Sequence, residues 1–294
     1  MTLADFVTEI GDSGPVAVQG CRTRWDVGGP LDPSARLVTA PSGIVDYLPE
    51  EMTVTVLAGT TVAELNHALL ARGQRCALPD RNGTVGGAIA VGENHTEVLG
   101  RGTLRASVLQ VRYVSADGKL ITGGGPTVKN VSGFDIPRLL TGSLGTLGLI
   151  GEVILRTNPL PATSVWLDSV DADPFAIASI VLRPGAVLWD GTRTRVLLEG
   201  HAPDVAHDRT ALGACGNWTE ADGALDLLPH RWSLTPAELR SLNGNFVASV
   251  GVGTVWRDHP QPRRELSEPV RAISERMKAN FDPTGRLNPG RSVC

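Results

Sequence analysis

Alternating apolar and polar positions mark most of the strands that the sequence predicts. The clearest alternation, T-V-T-V-L-A, covers residues 53–58. A later alternation, at residues 108–114, is followed by an Asp117-Gly118 turn and a second apolar segment, which predicts a β-hairpin. An acidic turn at residues 46–51 separates two shorter segments. In chain order, the predicted strands are residues 15–19, two segments between 37 and 58, and residues 108–114, 120–122 and 152–156.

Apolar residues that recur three or four positions apart predict the helices. One of these helices would begin at Thr60 or Thr61 and another at Asp135, and both residue types are good N-caps. In the last predicted helix, Val270, Ile273 and Met277 share one face. In chain order, the predicted helices are residues 1–14, 61–73, 85–92, 135–142 and 267–280.

The composition indicates a soluble globular protein of one large or two ordinary domains. The chain has 294 residues, 41% of them hydrophobic, and its 27 basic and 31 acidic side chains give a net charge of −4. Because no basic block occurs, we expect neither a nucleic-acid partner nor direct membrane insertion or binding. The four cysteines are scattered and the N-terminus lacks the pattern of a secretory signal, so a reduced cytoplasmic setting is expected.

Glycines occupy every third position at 142, 145, 148 and 151. This spacing fits neither a helix face nor a packed strand face, and it indicates that the backbone approaches a ligand closely. The surrounding residues 138–156 are apolar enough to resemble a membrane span. The glycines, the charge of Glu152 and the short length argue against that interpretation.

Two further segments are rich in backbone donors. Residues 20–24, G-C-R-T-R, are predicted either to hold a phosphate with N–H groups and an arginine or to form an ordinary β-turn. Residues 84–87, T-V-G-G, open a helix whose free N–H groups and positive dipole end would face an anion. The sequence contains neither a G-x-G-x-x-G dinucleotide fingerprint nor a G-K-[ST] phosphate loop.

The order of five motifs carries a resemblance to a known family. The motifs are T-V-G-G at 84–87, the hairpin turn at 117–118, V-K-N-V-S-G-F-D-I at 128–136, G-S-L-G-T-L-G-L-I at 142–150 and F-D-P-T-G-R-L-N-P-G-R at 281–291. In this order the chain resembles flavoproteins of the vanillyl-alcohol oxidase/p-cresol methylhydroxylase (PCMH) type. Within that family it is most similar to the FAD-binding subunits of bacterial glycolate oxidase.

The resemblance implies an α+β fold, namely a two-lobed PCMH-type FAD-binding domain with a small α+β cap domain. Residues 1–160 would form the FAD-binding domain, with its lobes split near residue 50, and residues 161–255 the cap. Residues 256–294 would return to the FAD-binding domain. Alternating segments predict an antiparallel sheet in the cap. The predicted cap strands are residues 165–167, 179–183 and 194–199.

The resemblance also implies FAD as the cofactor and assigns residues to it. The implied contacts are Gly20, Cys21, Arg22 and Thr23 in a first pyrophosphate loop; Pro79, Thr84, Val85, Gly86 and Gly87 in a second; Ser143, Gly145, Thr146, Gly148 and Ile150 beside the flavin and the adenine; and Lys129, Asn130 and Asn288 near the flavin. The sequence departs from the family at residues 93–97, E-N-H-T-E, which would place two carboxylates and a histidine beside the flavin pocket.

The implied activity is that of an FAD-dependent oxidoreductase subunit that takes part in oxidising a 2-hydroxy acid such as glycolate, by hydride transfer to the flavin. The implied partners are the small-molecule substrate and other subunits of a flavoenzyme complex, through which the chain would reach a membrane peripherally. Whether the chain is active by itself or only within that complex stays open. So does a non-catalytic role as an FAD-binding, structural or electron-relay subunit.

Candidates for catalysis and substrate binding are few. His95 is the candidate catalytic base, with a purely hydrogen-bonding loop histidine as the alternative. Arg257, Arg263 and Arg264 are candidate clamps for a substrate carboxylate, or else part of a solvated linker. No His and carboxylate set has the spacing of metal ligands, so no metal site is predicted.

Overall fold

The protein is represented by a computed structural model. The described residues are 1–126, 135–262 and 265–292. Internal contacts divide the chain into two compact units, both of which mix helices and strands, and this confirms the predicted α+β class. The first unit comprises residues 1–95, 103–159 and 264–294, and the second comprises residues 96–102 and 160–263.

The described residues form ten α-helices and sixteen strands. The helices are α1 (Leu3–Ile10), α2 (Val62–Leu70), α3 (Val85–Val91), α4 (Val98–Arg101), α5 (Leu104–Ser107), α6 (Ile136–Leu140), α7 (Ile177–Ile180), α8 (Ala202–Leu212), α9 (Pro236–Leu239) and α10 (Glu268–Phe281). The strands are β1 (Val16–Gln19), β2 (Arg36–Thr39), β3 (Ile44–Leu48), β4 (Thr53–Leu57), β5 (Gln74–Arg75), β6 (Val108–Val114), β7 (Leu120–Gly124), β8 (Leu149–Arg156), β9 (Asn158–Pro159), β10 (Thr163–Ser169), β11 (Ala186–Trp189), β12 (Thr194–Gly200), β13 (Thr219–Ala221), β14 (His230–Ser233), β15 (Phe246–Ser249) and β16 (Thr254–Arg257).

A five-stranded antiparallel sheet, ordered β3-β4-β8-β6-β7, lies at the centre of the first unit. Val153 of β8 pairs with Val56 on β4 and with Val111 on β6, and all three side chains are buried. β8 begins at Leu149, three residues before the predicted strand. Residues 138–156 therefore fold as the end of α6, a glycine-rich loop and β8, and not as a membrane span.

The strands between residues 36 and 57 differ from the prediction. β2 pairs with β1 in parallel, and β3 extends through Asp46 and Tyr47, which the sequence predicts as a turn. The turn is the 3-10 segment Pro49–Glu51. Tyr47 stays in the strand because it pairs with Val54 of β4 and because its hydroxyl donates to Gln74 Oε1 at 3.0 Å.

Two of the predicted helix starts are confirmed by their capping hydrogen bonds. The backbone N–H of Glu64 donates to Thr61 Oγ1 at 3.1 Å, and that of Arg138 donates to Asp135 Oδ1 at 3.0 Å. These caps depend on residues three positions apart, so the local sequence is sufficient to specify them.

The motif at residues 281–291 fastens the chain to the N-terminal elements of the first unit. Arg286 is 4% exposed, and Asp282 accepts hydrogen bonds from the N–H groups of Arg286 and Leu287 and from Lys278 Nζ. Burial lowers the pKa of Arg286, and the charge of Asp282 acts in the opposite direction. The Arg286 guanidinium donates to the carbonyls of Ile10, Gly11, Ser13, Gly14 and Ala116.

The second unit contains a seven-stranded antiparallel sheet, ordered β13-β10-β12-β11-β15-β16-β14. Buried side chains of α7 and α8 pack against one face of this sheet, among them Ile177 and Val205 against Leu167 and Val196. Trp189 contacts Phe175 and Phe246 edge to face. The predicted strands at 165–167 and 194–199 lie within β10 and β12.

The predicted strand at residues 179–183 is wrong, because this segment begins inside α7 and continues as a loop. Ile177 and Val181 are both fully buried, and their spacing of four residues is that of a helix face. Leu182, which strand alternation would place on the same face as Ile180, is 91% exposed.

Helix α10 covers the predicted segment, but its apolar face is not buried. Val270 is 47% exposed and Ile273 is 57% exposed. Lys278 connects this helix to the glycine-rich loop by donating to the Thr146 carbonyl at 2.8 Å. Within the ranges that the structure describes, no helix combines the length and apolar content that crossing a bilayer requires.

Candidate cofactor site

Two adjoining pockets open on the first unit. We call the larger, with an open volume of about 620 Å³, the arginine pocket, and the smaller, about 460 Å³, the glycine pocket. They meet at residues that come from β1, the loop after it, α3 and the C-terminal motif. The shared lining residues are Val18, Gly20, Thr84, Gly87, Ala90 and Asn288.

Most of the residues that the sequence assigns to FAD line these pockets. Those that do are Gly20, Cys21, Arg22, Thr23, Thr84, Gly86, Gly87, Gly145, Gly148, Ile150 and Asn288. Pro79, Val85, Ser143 and Thr146 are buried and line neither pocket. Lys129 and Asn130 lie outside the described residues, as do the candidate clamps Arg263 and Arg264.

The first turn of α3 does not offer the free N–H groups that the sequence predicts. The N–H of Val85 donates to the Thr60 carbonyl and that of Gly86 to the Ala58 carbonyl, both at 2.8 Å. The N–H of Gly87 donates to Thr84 Oγ1 at 3.2 Å. Since these donors are already used within the protein, the first turn of α3 does not offer them to an anion.

The glycine-rich segment is also explained differently from the prediction. A Cβ at Gly145 would come closer than 3.0 Å to Asn288, one at Gly148 to the ring of Tyr113, and one at Gly151 to Leu3. The backbone at these three glycines therefore approaches protein atoms, although Gly145 and Gly148 also line the glycine pocket. At Gly142, where φ is +86°, an added Cβ would lie 3.7 Å from its nearest neighbour, Arg105 Nη2.

A buried carboxylate supports one wall of the arginine pocket. Glu93, 3% exposed, accepts from Arg24 Nε and from Arg81 Nη1, each at 2.7 Å. Arg24 also donates to the Pro79 carbonyl at 3.3 Å, so the pair connects the loops at 20–24 and 79–83. Burial alone would raise the pKa of Glu93, but the hydrogen bonds and charges of both arginines hold it below its ordinary value.

An aromatic ring and two cations form another part of the arginine pocket. The Cζ atoms of Arg22 and Arg291 lie 4.9 and 5.0 Å from the centre of the Trp25 ring. Arg291 also donates to the carbonyls of Val27 and Gly29. Sequence reasoning missed Trp25 and Arg291, although Arg291 is the last residue of the motif that contains Asn288.

The other candidates lie away from these pockets or are held by other contacts. His95 is half-buried and lines neither pocket, and Glu97 pairs with Arg101. In the second unit, the Arg257 guanidinium lies 4.8 Å from the centre of the Trp232 ring and donates to the Asn243 carbonyl. Among the described residues, no group of three or more His, Cys, Asp and Glu side chains is placed to hold a metal ion.

The chemistry of the site fits FAD. Two joined pockets suit a cofactor with a ring system at each end, and the arginines that line the arginine pocket suit its diphosphate. In addition, the Ser143 hydroxyl is buried and has no hydrogen-bond partner among the described residues, and Ser143 precedes Leu144, which lines the arginine pocket.

Comparison with known proteins agrees with this fit. A family model described as an FAD binding domain matches residues 3–124. Glycolate oxidase subunit GlcE of Escherichia coli K12 is 27% identical over 328 aligned positions, which cover 96% of this chain and 93% of that protein. Glycolate oxidase subunit GlcD of Bacillus subtilis 168 is 31% identical over 272 positions, and the match spans 81% of this chain but 57% of that protein.

A solved structure of an alkyldihydroxyacetonephosphate synthase shares the fold. It superposes with a TM-score of 0.67 at 13% identity and covers 98% of this chain and 73% of its own. The predicted PCMH-type fold, the family resemblance and FAD as the cofactor are confirmed.

Proposed function

Since this chain belongs to the FAD-binding family of the vanillyl-alcohol oxidase/PCMH type, we propose that it is an oxidoreductase subunit that takes part in oxidising a 2-hydroxy acid such as glycolate. The observation that carries the proposal is the joint between the arginine and glycine pockets, built from three separate segments of the first unit. The match to GlcE over nearly the whole of both chains supports the subunit role.

In this proposal the first unit is the FAD-binding domain and the second is the cap. The residues that would hold FAD are those shared by the two pockets together with Arg22, Arg291 and Ile150. When bound, FAD supplies a two-electron acceptor for the alcohol carbon of the substrate. The protein contributes binding, orientation and charge.

A non-catalytic FAD-binding or electron-relay subunit is the second candidate. It is favoured by the surroundings of Arg257, the described member of the three candidate clamps. Because its guanidinium is held by the Trp232 ring and the Asn243 carbonyl, a substrate carboxylate would have to compete with both contacts.

A visible absorption spectrum followed by anaerobic mixing with substrate tests both candidates. We expect the purified chain to carry FAD and to be reduced slowly or not at all by glycolate or D-lactate. The native complex, purified through a tag on this chain, should be reduced within about a second, a typical turnover time. Acetate, which lacks the hydroxyl, is the matched control.

Each other outcome has a definite meaning. A chain that neither carries nor takes up FAD would contradict the proposed function. A complex whose flavin is not reduced by any 2-hydroxy acid would favour the second candidate. Rapid reduction of the isolated chain would show that it needs no partner.

A further inference from the structure

In the second unit, a short connection crosses one face of the seven-stranded sheet. β13 and β14 are the two edges of that sheet, and residues 222–229, which we call the strap, join them. The eight residues of the strap reach at most about 29 Å, which is about the width of seven strands spaced about 4.8 Å apart. The strap therefore has little slack.

One arginine and several leucines hold the strap on the sheet. Arg195 of β12 donates to the carbonyls of Gly223 and Ala224, at 3.0 and 3.2 Å, and to Asp168 Oδ1 at 2.8 Å. Arg195 pairs with Leu188 in the strand register, so both side chains belong to the same face of the sheet. The strap leucines, which are Leu225, Leu227 and Leu228, pack against a buried cluster of Leu188, Val247 and Trp256 on this face.

Two polar atoms on the covered face have no hydrogen-bond partner among the described residues. They are Trp256 Nε1 and Ser249 Oγ, and both side chains are 1% exposed. Trp256 pairs with Val247, which stands two residues before Ser249 in β15, so Ser249 and Trp256 are diagonal neighbours on one face. Because a buried polar group without a partner lowers stability, two of them side by side indicate a place where a polar ligand binds.

We propose that Ser249 and Trp256 bind the carboxylate of a small acid, and that the strap is the lid of this site. The indole N–H can only donate and the hydroxyl can donate, so the ligand must offer two acceptors. A carboxylate offers them on its two oxygens, and Arg231, opposite Trp256 on the same face, contributes positive charge. Since the strap has little slack, only a small molecule fits beneath it. The site needs no FAD, so this inference goes beyond the proposed function and does not depend on it.

Isothermal titration calorimetry with acetate tests the site, on the chain saturated with FAD so that acetate does not enter the arginine pocket. Acetate should bind, and acetamide, a neutral molecule of similar shape, should bind at least about tenfold more weakly. Ser249→Ala should weaken acetate binding about tenfold. In urea unfolding the same variant should be as stable as wild type or more stable, because a buried hydroxyl without a partner is removed.

Ser169→Ala is the matched control in the same sheet. Ser169 is 3% exposed, but its hydroxyl donates to Asp171 Oδ1 at 2.6 Å and accepts from the N–H of Ala172 at 3.2 Å. This variant should therefore lose stability and keep the acetate affinity of wild type.

Hydrogen exchange of the peptide that contains residues 222–229 tests the lid. Arg195→Gln should speed up exchange there about tenfold, because two carbonyls of the strap lose their donor. Acetate should slow exchange of the same peptide in wild type, since the ligand fills the space beneath the strap, and should have no effect in Ser249→Ala.

Two results would overturn the inference. Equal acetate affinities of wild type and Ser249→Ala would show that acetate binds elsewhere. A loss of stability in Ser249→Ala as large as that in Ser169→Ala would show that the Ser249 hydroxyl bonds within the protein. Should Ser249→Ala fail to fold, Trp256→Phe removes the other donor, and an unchanged acetate affinity would again overturn the site. The proposed function is judged separately, by FAD binding and flavin reduction.

Discussion

Arg24 Nε donates to Glu93 Oε2 at 2.7 Å, although the two residues are 69 positions apart in the sequence. The other oxygen of the same carboxylate accepts from Arg81 at the same distance. One buried carboxylate thereby holds the loop at 20–24 and the loop at 79–83 together. Because this single carboxylate faces two guanidinium groups, it balances only part of their positive charge, and Arg24 still lines the arginine pocket together with Arg22 and Arg291.

The first prediction concerns this carboxylate. Glu93→Gln should lower the free energy of unfolding at neutral pH by about 3 kcal/mol, because Arg24, whose side chain is 7% exposed, would keep a buried charge without its partner. Urea unfolding followed by circular dichroism measures the change. Glu50→Gln is the control, since Glu50 is 81% exposed and lies 3.8 Å from Arg72, a pair expected to contribute below about 1 kcal/mol.

The same pair predicts a pH dependence. The pKa of Glu93 in the folded protein is below its ordinary value of 4.5, so the unfolded state binds the proton more readily. The stabilisation is therefore fully present above pH 4.5 and is lost as the pH falls through the folded pKa. The stability difference between wild type and Glu93→Gln should shrink below about pH 4.5. A difference that stays constant down to pH 3 would show that the carboxylate charge contributes nothing.

Adjacent glycines of α3 should respond differently to alanine. A Cβ at Gly86 would lie 2.8 Å from Ala58 Cβ and 3.0 Å from the Ala58 carbonyl oxygen, so Gly86→Ala should cost about 1–3 kcal/mol of stability. At Gly87 the nearest atom is Thr84 Oγ1, at 3.0 Å. Gly87→Ala should therefore change stability by less than about 1 kcal/mol, the size of the helix-propensity gain that offsets the tight contact.

For FAD binding, Gly87→Ala should be the more damaging of the two substitutions. Gly87 lines both pockets at their joint, so its added methyl group should weaken FAD binding about tenfold while the fold is retained. Fluorescence titration of the apoprotein with FAD measures this. Equal stabilities of the two variants, or equal FAD affinities of wild type and Gly87→Ala, would contradict the geometry.

Buried Arg286 gives the largest expected effect on stability. Arg286→Met removes a buried side chain that donates to five carbonyls, so the free energy of unfolding should fall by about 3–5 kcal/mol. Arg138→Met is the matched control, because the Arg138 side chain is 60% exposed and only 3.6 Å from Asp135 at the surface. If both variants unfold at the same urea concentration, Arg286 does not anchor the C-terminal motif.

Local signals in the sequence were enough for most individual elements. The caps Thr61 and Asp135 act on N–H groups three residues away, and the alternation at 108–114 matches β6 residue for residue. The signal failed at 179–183, because a short apolar run fits either a strand or one face of a helix. Here Ile177 and Val181, four positions apart and both buried, belong to a helix face.

Contacts between distant segments could not be predicted in this way. The N–H of Gly86 is occupied by Ala58, and the charge of Arg24 by Glu93, and both partners come from elsewhere in the chain. The motif order carried the family, and most of the residues assigned from it line the pockets, but it did not indicate that Trp25 and Arg291 would meet. Pairings of that kind depend on tertiary packing, which periodicity does not encode.

The last prediction tests the exposed face of α10. Ile273 is 57% exposed, so Ile273→Gln should change the free energy of unfolding by no more than about 0.5 kcal/mol, and the better helix propensity of Gln partly offsets any lost contact. Leu65→Ala on α2, a fully buried position of similar helical setting, should cost about 2–5 kcal/mol. Urea unfolding at two protein concentrations separates burial within the chain from burial between chains. A cost above about 1 kcal/mol that is the same at both concentrations would mean that the chain itself covers Ile273.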